Sequence, residues 1–172
     1  SNMFRTNFDP RLEMNGWTYG ETANSPVVVN NPEDAPVDFT YYIDAKCTTK
    51  TSSTNGASTT GGAPKYAGTY YVKADVEAKG DCNAVSDTTN FTIAKKELLV
   101  TWEGDDSYTY NGGEQGVTGY IDATKIIAGD EVVISLADNK KTNVGTYTAT
   151  ASLTGDKAAN YELKNTTKLL YR

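Results

Sequence analysis

The side chains of this sequence that could do chemistry are two cysteines and several paired carboxylates, and histidine is absent. Without an imidazole, a His-based catalytic triad, an HExxH metalloprotease and most catalytic zinc sites are excluded. The acidic pairs at 33–34, 105–106 and 130–131 lack the alternating Asp/Asn spacing and closing Glu of a calcium loop. We therefore expect a non-enzymatic chain with no cofactor and no metal, whose carboxylates are solvated in turns.

The two cysteines, Cys47 and Cys82, are candidates for a disulfide. A bond between them would close a loop of roughly 35 residues, which stabilises a fold by about 3.8 kcal/mol when only chain entropy is counted. An extracellular setting permits such a bond. The alternative is two unpaired thiols in separate loops, and the sequence leaves both readings open.

Aromatic side chains offer a second kind of chemistry, because their faces can stack on sugar rings. The chain has 12 tyrosines and 2 tryptophans. In a small β module most strand aromatics fill the core or pair across strands. Tyr70 has a counterpart, Tyr147, in the second half of the chain, which favours a core role for it. Tyr42 and Tyr71 are the candidates for an exposed ligand platform.

Composition and charge narrow the classes of partner. The 172 residues include 16 Lys and Arg against 22 Asp and Glu, giving a net charge of -6 without a basic patch. This argues against nucleic acid as a partner. With 38% hydrophobic residues and no long apolar run, the sequence predicts no membrane insertion. The 25 threonines and 12 tyrosines favour β structure.

An internal repeat organises the chain. The segment 67–74 (AGTYYVKA) corresponds to 144–151 (VGTYTATA), 88–93 to 166–171 at an offset of 78, and 17–21 more loosely to 108–112. The shared Gly68 and Gly145 indicate a strand start that needs close backbone approach or a positive φ. The repeat predicts two modules, 11–96 and 97–172, preceded by residues 1–10, where Ser1-Asn2-Met3 resembles the remnant of a cleaved tag.

Period-two alternation in both repeated segments predicts strands. Further strands are predicted at 27–29, 37–41 and 132–136, and one helical patch at 121–128. The expected fold is mainly β, with two tandem small antiparallel modules that are either Ig-like sandwiches or β-grasp-like. The polar insertion 48–63 has no counterpart in module 2 and is expected to be a mobile hairpin tip. The junction, 91–102, contains neither Gly nor Pro and predicts a stiff connection within an elongated rod.

Three features occur together and in order: Gly16-Trp17-Thr18-Tyr19-Gly20-Glu21, a Gly-Thr-Tyr strand, and a closing Phe91-Thr92-Ile93-Ala94-Lys95-Lys96. Together they resemble the Tyr-Gly type of MBG repeats in bacterial surface proteins. In module 2 the match is weaker, since Tyr110-Asn111-Gly112 replaces the first motif. The resemblance implies a non-catalytic, adhesin-related array with a small Ig-like or β-grasp-like fold in each repeat.

Two functions follow from these expectations, both for an extracellular protein that is secreted or held on a bacterial cell surface. The first is a stalk or spacer in adhesion, because spacer modules multiply easily. The second is a module that binds carbohydrate or a host glycoprotein through the insertion and the nearby Tyr42 and Tyr71. The fragment is expected to be monomeric, and its abrupt end in a strand-like run favours a piece of a longer protein.

Overall fold

The computed structural model describes residues 9–172 and is mainly β. It divides into two compact units, of which the first ends at Ala94 and the second is Lys95–Arg172. The proposed tag remnant, Ser1 to Met3, lies outside the described residues. One residue, Lys95, separates the last strand of unit 1 from the first strand of unit 2.

Unit 1 contains a four-stranded sheet with the order β2-β6-β5-β4 and a separate β1-β3 pair. Its strands are β1 (Arg11–Glu13), β2 (Trp17–Thr18), β3 (Val27–Val29), β4 (Val37–Tyr42), β5 (Gly68–Val76) and β6 (Val85–Ala94). All of these pairs are antiparallel except β2 with β6. The strands predicted at 27–29 and 37–41 are confirmed.

The inner face of this sheet is apolar because side chains alternate along β5. Tyr70, Val72, Ala74 and Val76 are each at most 3% exposed, whereas the residues between them are exposed or half-buried. Burial of each larger side chain stabilises the unit by about 1.5–3 kcal/mol. The alternation seen in the sequence therefore reports the two faces of this strand correctly.

Unit 2 is built from smaller sheets. Its strands are β7 (Lys96–Leu99), β8 (Thr101–Glu103), β9 (Gln115–Gly116), β10 (Thr118–Tyr120), β11 (Val133–Ala137), β12 (Lys140–Lys141), β13 (Thr146–Thr154), β14 (Tyr161–Lys164) and β15 (Thr167–Tyr171). The largest sheet has the order β11-β13-β15, and the pairs β8-β10, β9-β12 and β7-β14 surround it. Val117, Ala149 and Leu170 form the core, with Trp102 and Tyr147 packed against them.

Helical structure within residues 9–172 is limited to 3₁₀ turns at Ser53–Asn55, Ala123–Lys125 and Ala158–Asn160. The helix predicted at 121–128 is therefore wrong except for one turn. Asp122 caps that turn by accepting the Thr124 N–H, and the backbone is already extended at Ile126. Because a β-grasp packs a helix on its sheet, the described residues fit the sandwich-like alternative.

The repeated Gly-Thr-Tyr motif has the same geometry in both units. A Cβ on Gly68 would lie 3.2 Å from Cζ of Tyr70, and a Cβ on Gly145 would lie 3.2 Å from Cζ of Tyr147. Each tyrosine hydroxyl donates to the carbonyl four residues earlier, at 2.8 Å to Tyr66 and 3.2 Å to Asn143. The close approach expected at these glycines is confirmed, and its cause is the tyrosine ring folded over the strand start.

The sheet registers correct the alignment of the closing strands. Tyr70 pairs with Phe91 in unit 1, and the equivalent Tyr147 pairs with Leu170 in unit 2. The structural offset is therefore 79 rather than 78. An offset of 78 would match Phe91 with Leu169, which is 45% exposed, instead of Leu170, which is fully buried. A slip of one residue exchanges the two faces of a strand, so the strand register is needed to distinguish an offset of 78 from one of 79.

In both units an N-terminal segment lies parallel to the final strand. Trp17 pairs with Ile93 in unit 1, and the Tyr19 N–H donates to the Ala94 carbonyl at 2.8 Å. In unit 2, Ser107 forms a parallel bridge with Tyr171, whose carbonyl accepts the Tyr108 N–H at 3.1 Å. Strand β7 also pairs in parallel with β14. At the offset of 79, Tyr171 is the counterpart of Thr92, so Tyr108 takes the position of Trp17 and Tyr110 that of Tyr19, as the looser sequence alignment predicted.

Candidate functional site

Tyr42 and Tyr71 are direct cross-strand partners on the outer face of the unit 1 sheet. Tyr42 lies opposite Tyr71 in the β4-β5 pair, and Asn90 lies opposite Tyr71 on β6. On the other side of Tyr42, Lys50 forms an isolated antiparallel bridge with it. Opposed residues point to the same face of a sheet. The four residues Lys50, Tyr42, Tyr71 and Asn90 therefore form one row, here named the tyrosine row, about 14 Å long at ordinary strand spacing.

Hydroxyl and charged side chains flank the tyrosine row. On one side Thr69 and Thr92 are opposed, with their Oγ1 atoms 3.3 Å apart. On the other side Lys73 lies between Thr40 and Thr88. The two tyrosines are half-buried, and Lys50 and Asn90 are exposed. The face thus combines aromatic surface with hydrogen-bond donors and acceptors, which is the chemistry that recognises a saccharide or a polar polypeptide.

The polar insertion is folded, in contrast to the mobile tip expected from its composition. The Tyr41 N–H donates to the Gly61 carbonyl, and the Tyr41 carbonyl accepts the Thr51 N–H. Thr51 has no exposed surface, and its Oγ1 donates to the Gly62 carbonyl at 2.6 Å. A Ser52–Asn55 capping box closes the next turn. The insertion therefore covers one end of the β4 edge and brings Lys50 into the tyrosine row.

Asp44 fixes the start of the insertion. Its carboxylate accepts hydrogen bonds from the backbone N–H groups of Thr48 and Thr49 and from the Thr48 hydroxyl. The Thr48 hydroxyl contributes most to lowering the pKa of Asp44. This carboxylate thus holds a turn. Composition could not reveal this role, because a Thr- and Ser-rich segment reads as solvated until its hydrogen-bond partners are known.

Cys47 and Cys82 are not joined by a disulfide. Cys47 follows Tyr42 at one end of the β4-β5 pair, and Cys82 follows Val76 at the other end, since Val37 pairs with Val76 and Tyr42 with Tyr71. Five strand residues separate these ends by about 17 Å, whereas bonded cysteines have Cα atoms within about 7 Å. The register therefore places the strand ends that lead to the two cysteines at opposite ends of the β4-β5 pair.

The remaining aromatic residues of unit 1 form its core. Phe91 stacks on Trp17 with ring centroids 5.5 Å apart, and it also meets Tyr41 at 5.9 Å and Tyr70 at 5.8 Å. Burial raises the pKa of both Tyr41 and Tyr70. In unit 2 the Trp102 ring nitrogen donates to the Asn165 carbonyl at 2.9 Å. These aromatics are structural.

Of the paired acidic residues, Asp130 has a defined structural role. Its Oδ2 accepts the Tyr161 hydroxyl at 2.7 Å, and that hydroxyl oxygen accepts the Ile127 N–H at 2.8 Å. Burial and the bond to Asp130 raise the pKa of Tyr161 to about 12. Among residues 9–172 no three thiol or carboxylate groups are placed so that they could share a metal ion.

Unit 2 contains a groove that the sequence analysis missed. Its volume is about 880 Å³. The lining is Glu97, Leu98, Leu99, Thr101, Tyr120, Ile121, Asp122, Ala123, Thr124, Lys125 and Lys164. We name it the Tyr120 groove. The one signal for it in the sequence is the apolar run Leu98-Leu99-Val100, because a strand with alternating faces cannot bury all three side chains on one side. Leu99 is the exposed one, but concavity depends on how β10 and the 3₁₀ turn fold beside it.

None of the helices within residues 9–172 is long and apolar enough to cross a membrane. The chain matches no known protein-family profile, no curated protein and no solved structure.

Proposed function

We propose that this chain is a non-enzymatic, load-bearing spacer of the MBG repeat type, from a bacterial protein that is secreted or held on the cell surface. In this role it holds a more distal binding region away from the cell during adhesion. The observation that carries the proposal is the parallel pairing of an N-terminal segment with the final strand in both units.

Strand direction determines how such a pair responds to tension. When the two ends of a unit are pulled apart, parallel neighbours slide along their common axis, and the hydrogen bonds of the ladder are strained together. Antiparallel neighbours that are pulled from one shared end separate bond by bond. Resistance to force depends on the unfolding barrier rather than on equilibrium stability. The repeated pairing therefore suits a protein that works under tension.

The connection between the units supports the same function. Only Lys95 separates β6 from β7, so the link offers one residue of irregular chain. A long Gly-rich linker would instead behave as a flexible coil. The recurrence of the Gly-Thr-Tyr geometry in both units also suits a module that is multiplied in tandem.

Single-molecule force spectroscopy tests the spacer. One variant carries handles at the two chain ends, and a second carries them at Lys65→Cys and Lys95→Cys in a Cys47→Ser, Cys82→Ala background. Lys65 and Lys95 are exposed and lie near the end of the sheet where Gly68 pairs with Ile93, so this second geometry peels β5 from β6. We expect a several-fold higher rupture force between the chain ends. Equal forces in the two geometries would refute the load-bearing function.

A second candidate function, adhesion by unit 1 itself, is favoured by the tyrosine row. Its support is the direct pairing of Tyr42 with Tyr71 and the position of Lys50, which the insertion unique to unit 1 supplies. In this reading the row binds host glycan or glycoprotein.

The test is binding of the full chain to a panel of host glycans, mucins and matrix proteins. The Tyr42→Ala/Tyr71→Ala variant is compared with Tyr110→Ala/Tyr171→Ala, which removes two exposed tyrosines of unit 2. Loss confined to the Tyr42→Ala/Tyr71→Ala variant, with hydrogen exchange of β5 unchanged, supports adhesion. Failure of the unaltered chain to bind any member of the panel refutes it.

A further inference from the structure

Two large apolar side chains that line the Tyr120 groove are exposed. Leu99 is 63% exposed and Tyr120 is 47% exposed, and both line the groove. Tyr120 lies opposite Thr101, while Leu99 lies two residues before Thr101 on the same face of the chain. Apolar side chains that remain exposed together along a concave surface are typical of ligand sites. The volume of about 880 Å³ also falls in the usual range for such sites.

Side chains that line the groove also form hydrogen bonds. The Tyr120 hydroxyl donates to Glu103 Oε1 at 3.4 Å, a long bond between exposed side chains. Asp122 Oδ1 accepts the backbone N–H of Thr124 at 3.0 Å and the Thr124 hydroxyl at 2.6 Å. Asp122 and Thr124 are therefore ordered before a ligand binds, which reduces the entropy lost on binding.

The charged side chains that line the groove, here called its rim, have no net charge. Glu97 and Asp122 supply two carboxylates, and Lys125 and Lys164 supply two ammonium groups. Lys164 Nζ lies 3.9 Å from Glu97 and 3.1 Å from Glu162. The hydrogen bond to Glu162 raises the pKa of Lys164, and the bond from Thr124 lowers the pKa of Asp122. These two groups are therefore charged at neutral pH.

We propose that the Tyr120 groove is a binding site for a neutral oligosaccharide. An anionic or cationic ligand would meet as many like charges as opposite ones on this rim. A purely apolar ligand would desolvate the carboxylates and ammonium groups without replacing their hydrogen bonds. A pyranose satisfies both parts of the site, because its C–H face packs on Tyr120 and Leu99 while its hydroxyls donate to carboxylates and accept from lysines. This site is separate from the tyrosine row and does not depend on the spacer function.

The test is a titration of the ¹⁵N-labelled full chain, followed by NMR, with cellohexaose, xylohexaose and chitohexaose as neutral probes and hexagalacturonate as the anionic probe. We expect at least one neutral probe to shift the amides of Leu99, Thr101 and Tyr120 with saturation. Tyr120→Ala should weaken that binding roughly tenfold or more, and Tyr120→Phe should retain it. Tyr110→Ala is the matched control, since Tyr110 is 57% exposed and is not among the residues that line the groove.

Three results would overturn the assignment. They are the absence of saturable shifts with every neutral probe at millimolar concentration, equal weakening by Tyr110→Ala and Tyr120→Ala, and binding of hexagalacturonate in preference to the neutral probes. The amide spectrum of each variant shows whether unit 2 remains folded. If Tyr120→Ala is unfolded, Leu99→Ala takes its place as the variant that should weaken binding, and Tyr120→Phe remains the variant that should retain it.

Discussion

The hydroxyl of the Gly-Thr-Tyr tyrosine should matter more for stability in unit 1 than in unit 2. Both hydroxyls donate to the carbonyl four residues earlier, at 2.8 Å for Tyr70 and 3.2 Å for Tyr147. Tyr70 is 3% exposed, whereas Tyr147 is half-buried. The Tyr70 hydroxyl also has a hydrogen bond with the Asn55 side chain. The same substitution to phenylalanine therefore removes partly buried hydrogen bonds in unit 1 and one that water can replace in unit 2.

The expected magnitudes follow from burial. A protein hydrogen bond contributes about 0.5–1.5 kcal/mol net, and a buried one lies at the upper end because its loss is not compensated by solvent. We expect Tyr70→Phe to lower the free energy of unfolding of unit 1 by about 1–1.5 kcal/mol, and Tyr147→Phe to lower that of unit 2 by less than about 0.5 kcal/mol. For a unit of this size, 1 kcal/mol corresponds to a change in Tm of roughly 4–8 °C.

Native-state hydrogen exchange measures both units in one chain. The slowest amides of β5 and β6 report the opening of unit 1, and those of β13 and β15 report the opening of unit 2. Each substitution also serves as the control for the other unit, whose exchange should not change. Equal losses in the two units, or a larger loss from Tyr147→Phe, would show that burial does not determine the contribution of this hydroxyl.

Three further outcomes are expected. Folding favours the neutral form of Tyr161, because its pKa rises from about 10 in the unfolded chain to about 12 in the folded one. The stability of unit 2 that depends on this group is complete below pH 10 and is lost as pH rises to 12, and thermal melts of Tyr161→Phe should not show this pH dependence. Thr51→Val should cost about 1–3 kcal/mol by breaking a buried bond and should speed tryptic cleavage at Lys50. Maleimide labelling of the folded chain, followed by mass spectrometry, should modify half-buried Cys47 before buried Cys82. A mass 2 Da below that of the reduced chain would instead show that the two cysteines form a disulfide.

The sequence predicted which side of a strand faces the core but not which residues face each other across strands. The repeat, together with the alternation, assigned Tyr70 to the core, where it is 3% exposed, and Tyr71 to the opposite face, where it is half-buried. The pairing of Tyr71 with Tyr42 and the separation of Cys47 from Cys82 both depend on the register of β4 with β5. Register is fixed by contacts between segments about 30 residues apart, and a local pattern does not contain that information.

The insertion shows a second limit of local patterns. Its Thr, Ser and Gly residues bury little apolar surface, which is the usual basis for expecting a mobile segment. Here the order comes from hydrogen bonds, including those of Asp44 with Thr48 and of Thr51 with Gly62. Composition gives the number of donors and acceptors, but whether they satisfy one another depends on the folded path of the chain.

The features shared by the two units and the features that differ between them support different functions. The shared features are internal: the tyrosine folded over glycine, its buried partner on the final strand, and the parallel contact of an N-terminal segment with that strand. These determine stability and response to force. The differing features lie on the surface, namely the tyrosine row of unit 1 and the Tyr120 groove of unit 2. A variant such as Tyr120→Ala should therefore change saccharide binding without changing the rupture force between the chain ends, so each proposal can fail while the other stands.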